Sequence, residues 1–181
     1  MRIRADRIKQ LAGTRKVTRA QLAQAIERDG LKGESAKSAL ANWLRGRNHP
    51  RARKGDIEKL AGALGVAGKD IAKFTSEVRF HRGSPRKADL LVDLVRGKSV
   101  DEALNLLTFT TKRAAVNVKK CLAAAIADAE QNEADVTNLI VSEARIDDAP
   151  RIKRFNQKDR GRAHQILKRL THITVSVQER A

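Results

Sequence analysis

The stretch that most limits how this chain can fold runs from Arg151 to Arg169, RIKRFNQKDRGRAHQILKR. Eight of these residues are Lys or Arg, and only Asp159 is acidic. The apolar members, Ile152, Phe155, Ala163, Ile166 and Leu167, are too few and too scattered to build a core. The segments on either side, NLIVSEARID and THITVSVQ, carry a partial period-two alternation, clearest in Ile173, Val175 and Val177. Two strands joined by this stretch predict an extended β-hairpin over residues about 149–169, with Gly161 available for a tight bend. Roughly ten residues a side, at about 3.3 Å each, would carry it some 30 Å from the body. A two-stranded ribbon is marginal in water by itself, so its order must come from what it touches.

Charge says what that is. The chain holds 38 basic and 21 acidic residues in 181, a net of +17. Self-repulsion on this scale disfavours a compact state unless a polyanion neutralises it. Residues 1–75 hold 18 basic and 7 acidic residues, a net of +11. Residues 76–181 hold 20 and 14, a net of +6, of which the hairpin alone supplies +7. The remainder of the second part is therefore almost neutral, and the excess is concentrated on the arm.

Nucleic acid is the partner this distribution fits. A membrane is not: no run of about 18 apolar residues occurs, no lipidation signal stands at either end, and MRIRADRIKQ lacks the apolar centre of a secretory signal. Catalysis finds no support either. His49, His81, His164 and His172 are scattered without metal-ligand spacing. The GKS at Gly97–Ser99 lacks the upstream glycine of a phosphate loop and reads as a helix start. No cofactor or metal is called for, and no enzyme is expected. Cys121 is the single cysteine, which excludes an internal disulfide, and its place on an apolar helical face reads as a buried, inert thiol in a reducing cytoplasm.

The grammar changes near residue 75. Before it, five short helices are expected: ADRIKQLAG with Ile8 and Leu11, TRAQLAQAI with a Thr18–Gln21 capping box, SAKSALANWLRG with Ala36, Leu40, Trp43 and Leu44, KGDIEKLAGALG with Ile57, Leu60, Ala61 and Leu64, and GKDIAKF. After it, VRFHR reads as a short strand. Ser84 and Pro85 open a helix, Ser99 and Glu102 form a second capping box, and the long TKRAAVNVKKCLAAAIADAEQN buries Ala115, Val118, Leu122, Ala125, Ile126 and Ala129. The predicted fold class is α+β, three helices packed on a small antiparallel sheet with a long extended hairpin (76–181), preceded by a small all-α domain (1–75).

From about Val78 to Gln178 the chain resembles the family of protein twenty-two of the large ribosomal subunit. The matching words are SPRKADLLVDLVRGKSVDEALNLL, AAAIADAE, IDDAPRIKRF, GRAHQILKR and HITV. The resemblance implies a structural constituent of the large subunit, cytoplasmic and ribosome-associated. Its partners would be large-subunit ribosomal RNA, neighbouring ribosomal proteins and the nascent polypeptide in the exit tunnel. The body would sit near the tunnel exit and the hairpin would line the wall. Carried over residue by residue, the RNA contacts are Ser84, Arg86, Lys87, Arg96 and Lys98 on the body. On the arm and the strand closing it they are Lys153, Arg154, Lys158, Arg160, Arg162, Lys168, Arg169 and His172. Arg151, Ile152, Lys153 and Arg154 would form the tunnel-lining tip. The chain departs from the family's pattern at Gln157, Lys158 and Asp159, where Pro-Arg-Ala is usual, at Gly83, where an apolar residue is usual, and at Leu170, where Thr is usual.

Residues 1–75 are foreign to that family. ANWLRGRNHP followed by DIEKLAGALGV and DIAKF is similar to the helix-turn-helix domain of phage Cro and repressor proteins. The resemblance implies a third helix presenting Lys37, Ser38, Asn42 and Arg45 to nucleic acid. Roughly seven extra residues around ERDGLKG separate the second and third helices, so the short turn that fixes their angle is lost. The loop RGRNHPRARK, with Arg45, Arg47, Arg51, Arg53 and Lys54, could grip any phosphate backbone. Two readings follow: a front module that docks on RNA or proteins at the ribosome, or a free DNA-binding regulator whose basic arm clamps nucleic acid.

Overall fold

The computed structural model describes residues 1–180, which form two compact units. The first comprises residues 1–74 with 131–134, and the second residues 75–130 with 135–180.

In the first unit a two-residue strand β1 (Arg2–Ile3) precedes five helices: α1 (Ala5–Arg15), α2 (Arg19–Ala25), α3 (Glu34–Leu44), α4 (Lys54–Leu64) and α5 (Gly68–Ile71). Their apolar faces meet at Ile8, Leu22, Ile26, Leu40, Trp43, Ile57, Leu60 and Ile71, each at most 2 % exposed. The Thr18–Gln21 capping box is complete: Gln21 N–H donates to Thr18 Oγ1 (3.3 Å) and Thr18 N–H donates to Gln21 Oε1 (2.8 Å). At the far end of α4, Arg15 donates to the carbonyls of Leu64 and Gly65, which closes a helix terminus that would otherwise leave its last acceptors bare. The residues that lengthen the α2–α3 connection are ordered. Arg28 and Leu31 exchange backbone hydrogen bonds around Asp29–Gly30, Gly30 takes φ +81°, and Leu31 is buried. The expected GKDIAKF helix stops at Ile71, because Ala72 and Phe74 are buried in alternation with Lys73 and Thr75, the period of a strand.

That strand is β2 (Ala72–Arg82), much longer than the short VRFHR strand expected from sequence. Its first residues pair antiparallel with β1 (Arg2 opposite Lys73, Ile3 opposite Ala72), and the strand then continues into the second unit. There follow α6 (Pro85–Val95), α7 (Val100–Phe109), α8 (Ala115–Glu130), β3 (Leu139–Gln157) and β4 (Ala163–Glu179). Within the second unit the strand order is β2-β4-β3. Thr75 meets Ser176 (Oγ to Oγ, 2.9 Å) and the Thr171 hydroxyl donates to the His81 carbonyl (3.4 Å), so β2 and β4 run in opposite directions. α8 packs on β4, α6 packs on β3, and α7 packs on both other helices. All six residues expected on the buried face of α8 are buried, and half of them are alanine, short enough for the helix to lie close on the sheet. Cys121 is buried there too. Its thiol donates to the Ser76 carbonyl (3.3 Å), and burial pushes its pKa up, against ionisation.

The second unit is thus α+β, three helices on an antiparallel sheet, as the patterning indicates. β4 is its central strand: Leu170, Thr171 and Ile173 to Val177 are buried, Thr171 and Ser176 with hydroxyl bonds to β2. The second capping box is half made. Ser99 Oγ accepts from Glu102 N–H (3.4 Å), but the Glu102 carboxylate pairs with Lys98 instead of reaching back to the cap.

Candidate nucleic-acid interface

β3 and β4 pair antiparallel along their whole length, from Leu139 opposite Glu179 to Gln157 opposite Ala163. Their inner halves belong to the core. Between Pro150 and Arg169 every residue is exposed except Ile152, which is half-buried. About eight residues a side, at about 3.3 Å each, make a ribbon about 26 Å long that the other described residues leave uncovered.

The boundary is built into the backbone. Ala149 pairs with Leu170 and Ile152 with Lys168, so Pro150 and Arg151 together oppose Arg169 in a β-bulge. Pro150 has no N–H to lose from the ladder, and a bulge is where a strand tolerates proline. The Asp148–Arg151 pair (3.8 Å) spans the same point. At the other end Arg162 N–H donates to the Asp159 carbonyl (3.2 Å), with Arg160 at φ 52°, ψ 38° and Gly161 at φ +71°. Two successive positive φ values define the I′ turn whose twist matches that of paired strands. Asp159 holds the first position of this turn, and its carbonyl accepts the closing hydrogen bond.

This geometry revises one expectation. Arg151, Ile152, Lys153 and Arg154 stand in the shaft, four or more residues short of the turn; the apex is Lys158 to Arg162, because pairing persists out to Gln157 and Ala163. Apolar periodicity gave no sign of where pairing would stop, although Asp159 with Gly161 was a legible turn signal. Residues directly opposite share a face of the ribbon. Lys153 with Leu167 and Phe155 with Gln165 lie on one face, Ile152 with Lys168 and Arg154 with Ile166 on the other. Both faces therefore carry cations. Lys153, Lys158, Arg160, Arg162, Lys168 and Arg169 form no ion pair among the described residues.

The body residues divide by what they already hold. Ser84 is the N-cap of α6 without a side-chain capping bond, and Pro85 is its first residue. Arg86 and Lys87 follow in the first turn, exposed, with no acid in that turn and no ion pair among the described residues. Cations at a helix N-terminus oppose its dipole, so nothing in the fold favours them there. Arg96, by contrast, bonds its own chain: Nε and Nη2 donate to the Ala144 carbonyl (3.1 and 2.7 Å) and Nη1 meets Asp93 (2.9 Å). Lys98 pairs with Glu102. His172 is packed edge-on against Phe80 (ring centroids 4.8 Å apart), and its Nδ1 accepts from Phe80 N–H (3.2 Å). Phe80 has φ +55°, turning its amide out of the ladder toward that imidazole.

Sequence reasoning passed over the α7–α8 connection. Phe109 is 84 % exposed there, Lys112 and Arg113 are exposed, and Lys119 donates to Thr108 (2.9 Å). The run FTTKR, an aromatic beside two cations, was the available signal. In the first unit, Lys37 and Ser38 on α3 and Arg45 at its C-cap are exposed and Asn42 is half-buried; Trp43 and Leu44 are core. The basic loop after α3 is held in place: Trp43 Nε1 donates to the Pro50 carbonyl (2.6 Å), Asn48 Oδ1 accepts from Ala52 N–H (3.1 Å), and Ala52 is buried. Arg47, Arg51, Arg53 and Lys54 are thereby displayed to solvent from a fixed backbone.

Among the described residues no helix is long and apolar enough to cross a membrane. A family model described as Ribosomal protein L22p/L17e matches residues 76–178, more than half of the chain and all of the ribbon. A coreless cationic ribbon on a nearly neutral body is what a protein embedded in RNA requires, and the chain belongs to the ribosomal protein L22p/L17e family of structural, rRNA-binding proteins of the large subunit.

Proposed function

We propose that the ribbon of residues 150–169 is threaded through large-subunit ribosomal RNA and lines the tunnel that carries the nascent polypeptide, with the body near the tunnel exit. One observation carries this reading: eight cations and one acid on an exposed projection, where only Arg151, at its base, has an ion-pair partner among the described residues. RNA phosphates on both faces supply the order that the ribbon lacks by itself. Arg86 and Lys87 hold RNA backbone from the body. Arg96 and Lys98 shape the surface around them, and His172 keeps β2 in position beside it. The shaft residues Arg151 to Arg154 and the turn beyond them reach the tunnel wall. The first unit is an added module that docks on RNA or on neighbouring ribosomal proteins. The working place of the protein is the cytoplasmic ribosome.

Sedimentation in a sucrose gradient at low magnesium tests the assignment: the protein travels with the large subunit, and recovery in the soluble fraction or on DNA overturns it. A photo-crosslinking residue at Ile152 tests the tunnel position. It should label an arrested nascent chain, and labelling of RNA alone would remove the tunnel from the proposal.

A further inference from the structure

We propose that the groove of about 390 Å³ formed by α1, α2 and α3 binds an acidic, amphipathic segment of a partner protein. The inference deepens the docking role proposed for the first unit and rests on it. The floor is apolar: Leu40 and Leu44 are buried beneath it, and the short side chains of Ala20 and Ala41 leave the space open. The charges surround that floor. Lys37 on α3 and Arg45, its C-cap, lie eight residues apart, about 12 Å along the axis, with Ala41 midway on the same face. Lys9 from α1 and Arg19 from α2 complete the lining. Arg19 and Arg45 form no ion pair among the described residues, while Lys37 and Lys9 have only the exposed carboxylates of Glu34 (3.1 Å) and Asp6 (3.9 Å).

This arrangement favours a peptide over a phosphodiester. The side chains of the floor, Ala20, Leu40, Ala41 and Leu44, offer a phosphodiester no donor. A nucleic-acid backbone would meet the cations and leave the apolar surface in contact with charged phosphates. An acidic segment with leucine-like residues between carboxylates fills both. Carboxylates about 12 Å apart are seven or eight residues apart on a helix, or about four apart on a strand. Four cations about an apolar centre supply orientation and register as well as attraction.

The test uses the full chain and a fluorescein-labelled helical peptide of about sixteen residues, with glutamates seven apart and leucines between them. Anisotropy is read at about 150 mM salt, where surface charges are screened beyond about 8 Å. Replacing the leucines by serine at unchanged charge should weaken binding by about tenfold or more, and so should Lys37→Glu with Arg45→Glu, about 1.4 kcal/mol in each case. Binding that ignores the leucines, or the double substitution, overturns the proposal. So does competition by a single-stranded RNA of equal charge that is itself lost in the double variant, which would make the groove a phosphate site. These outcomes leave the ribosomal assignment intact, because that assignment fails only if the unaltered chain does not sediment with the large subunit.

Discussion

The imidazole of His81 occupies the space in which a side chain at residue 83 would have to begin: a Cβ on Gly83 would lie 2.7 Å from His81 Nε2 and 3.1 Å from its Cδ2. The other ring nitrogen, Nδ1, is bonded to Asn117 Nδ2 (3.0 Å), so the ring cannot swing away without losing that partner. Glycine at residue 83, where the family usually has an apolar residue, and histidine at 81 are therefore one coupled feature. Gly83→Ala should destabilise the protein by about 1 kcal/mol, the worth of one hydrogen bond. Gly83 does not have a positive φ, so in a His81→Ala background the same change should be neutral or stabilising by about 0.5 kcal/mol. Urea unfolding of the four chains checks this. Equal losses in both backgrounds would show that the two residues are independent.

His81 also gives the body a pH dependence. Its burial, with the neighbouring Arg113 charge adding to it, holds its pKa below the ordinary value of 6.5. The unfolded chain then binds the proton more readily than the folded one. The contribution is fully present above pH 6.5 and is lost as pH falls through the lowered folded pKa. The stability difference between the parent and His81→Asn should shift in that direction over that window. Arg113→Gln should raise the His81 pKa, read from the imidazole proton shifts by NMR.

Arg96 and the pair Arg86–Lys87 come from one sequence motif but should behave differently. Arg96 joins the end of α6 to the Ala144 carbonyl and to Asp93 while remaining about half exposed. Arg96→Ala should cost about 1 kcal/mol of stability after discounting for that exposure. Arg86→Ala with Lys87→Ala should leave the melting temperature unchanged and weaken binding to large-subunit RNA. It should also flatten the slope of log K against log salt by about 0.7 for each phosphate that is no longer neutralised. A lower melting temperature in the double variant would show that those two side chains help hold the fold.

Elements whose apolar residues repeat with a clear period were readable from sequence. The alanine face of α8, the helix starts at Thr18 and Pro85, and the strand that carries Ile173, Val175 and Val177 all appear in the structure. β2 was largely missed because Lys73, Thr75, Ser76 and Glu77 look like a linker. Its place comes from partners distant in sequence, Ser176 and Cys121, which local patterning does not encode. β1, with two residues, has no period to read. The cations of the candidate interface stand out in the sequence, but what each touches within its own chain does not. Whether Arg96 faces a carbonyl of its own chain or an external phosphate depends on where β3 lies, and that is a tertiary fact. Gly161 marked the turn in the sequence, but the positive φ of Arg160 did not show there, because arginine is an uncommon residue in that region.

The ribbon should be dispensable for folding and indispensable for binding. From Ile152 to Lys168 all but one of its side chains are exposed, and the bulge at Pro150 already sets the break between the packed and unpacked parts of the hairpin. Excising Ile152 to Lys168 and joining the ends through Asn-Gly supplies the same type of turn at the base of the arm. Surface changes away from packed side chains usually move stability by no more than about 0.5 kcal/mol. The shortened chain should therefore melt within a few degrees of the parent in a calorimeter and keep its far-ultraviolet dichroism per paired residue. Its affinity for large-subunit RNA should fall by several orders of magnitude at about 150 mM salt, because at least six of the on the order of 6–10 phosphates expected to be neutralised are given up. If the body unfolds instead, the ribbon packs against its own protein. If RNA binding survives, the first unit and the body carry the affinity, and the cations at Lys153, Arg154 and Lys168 have another purpose.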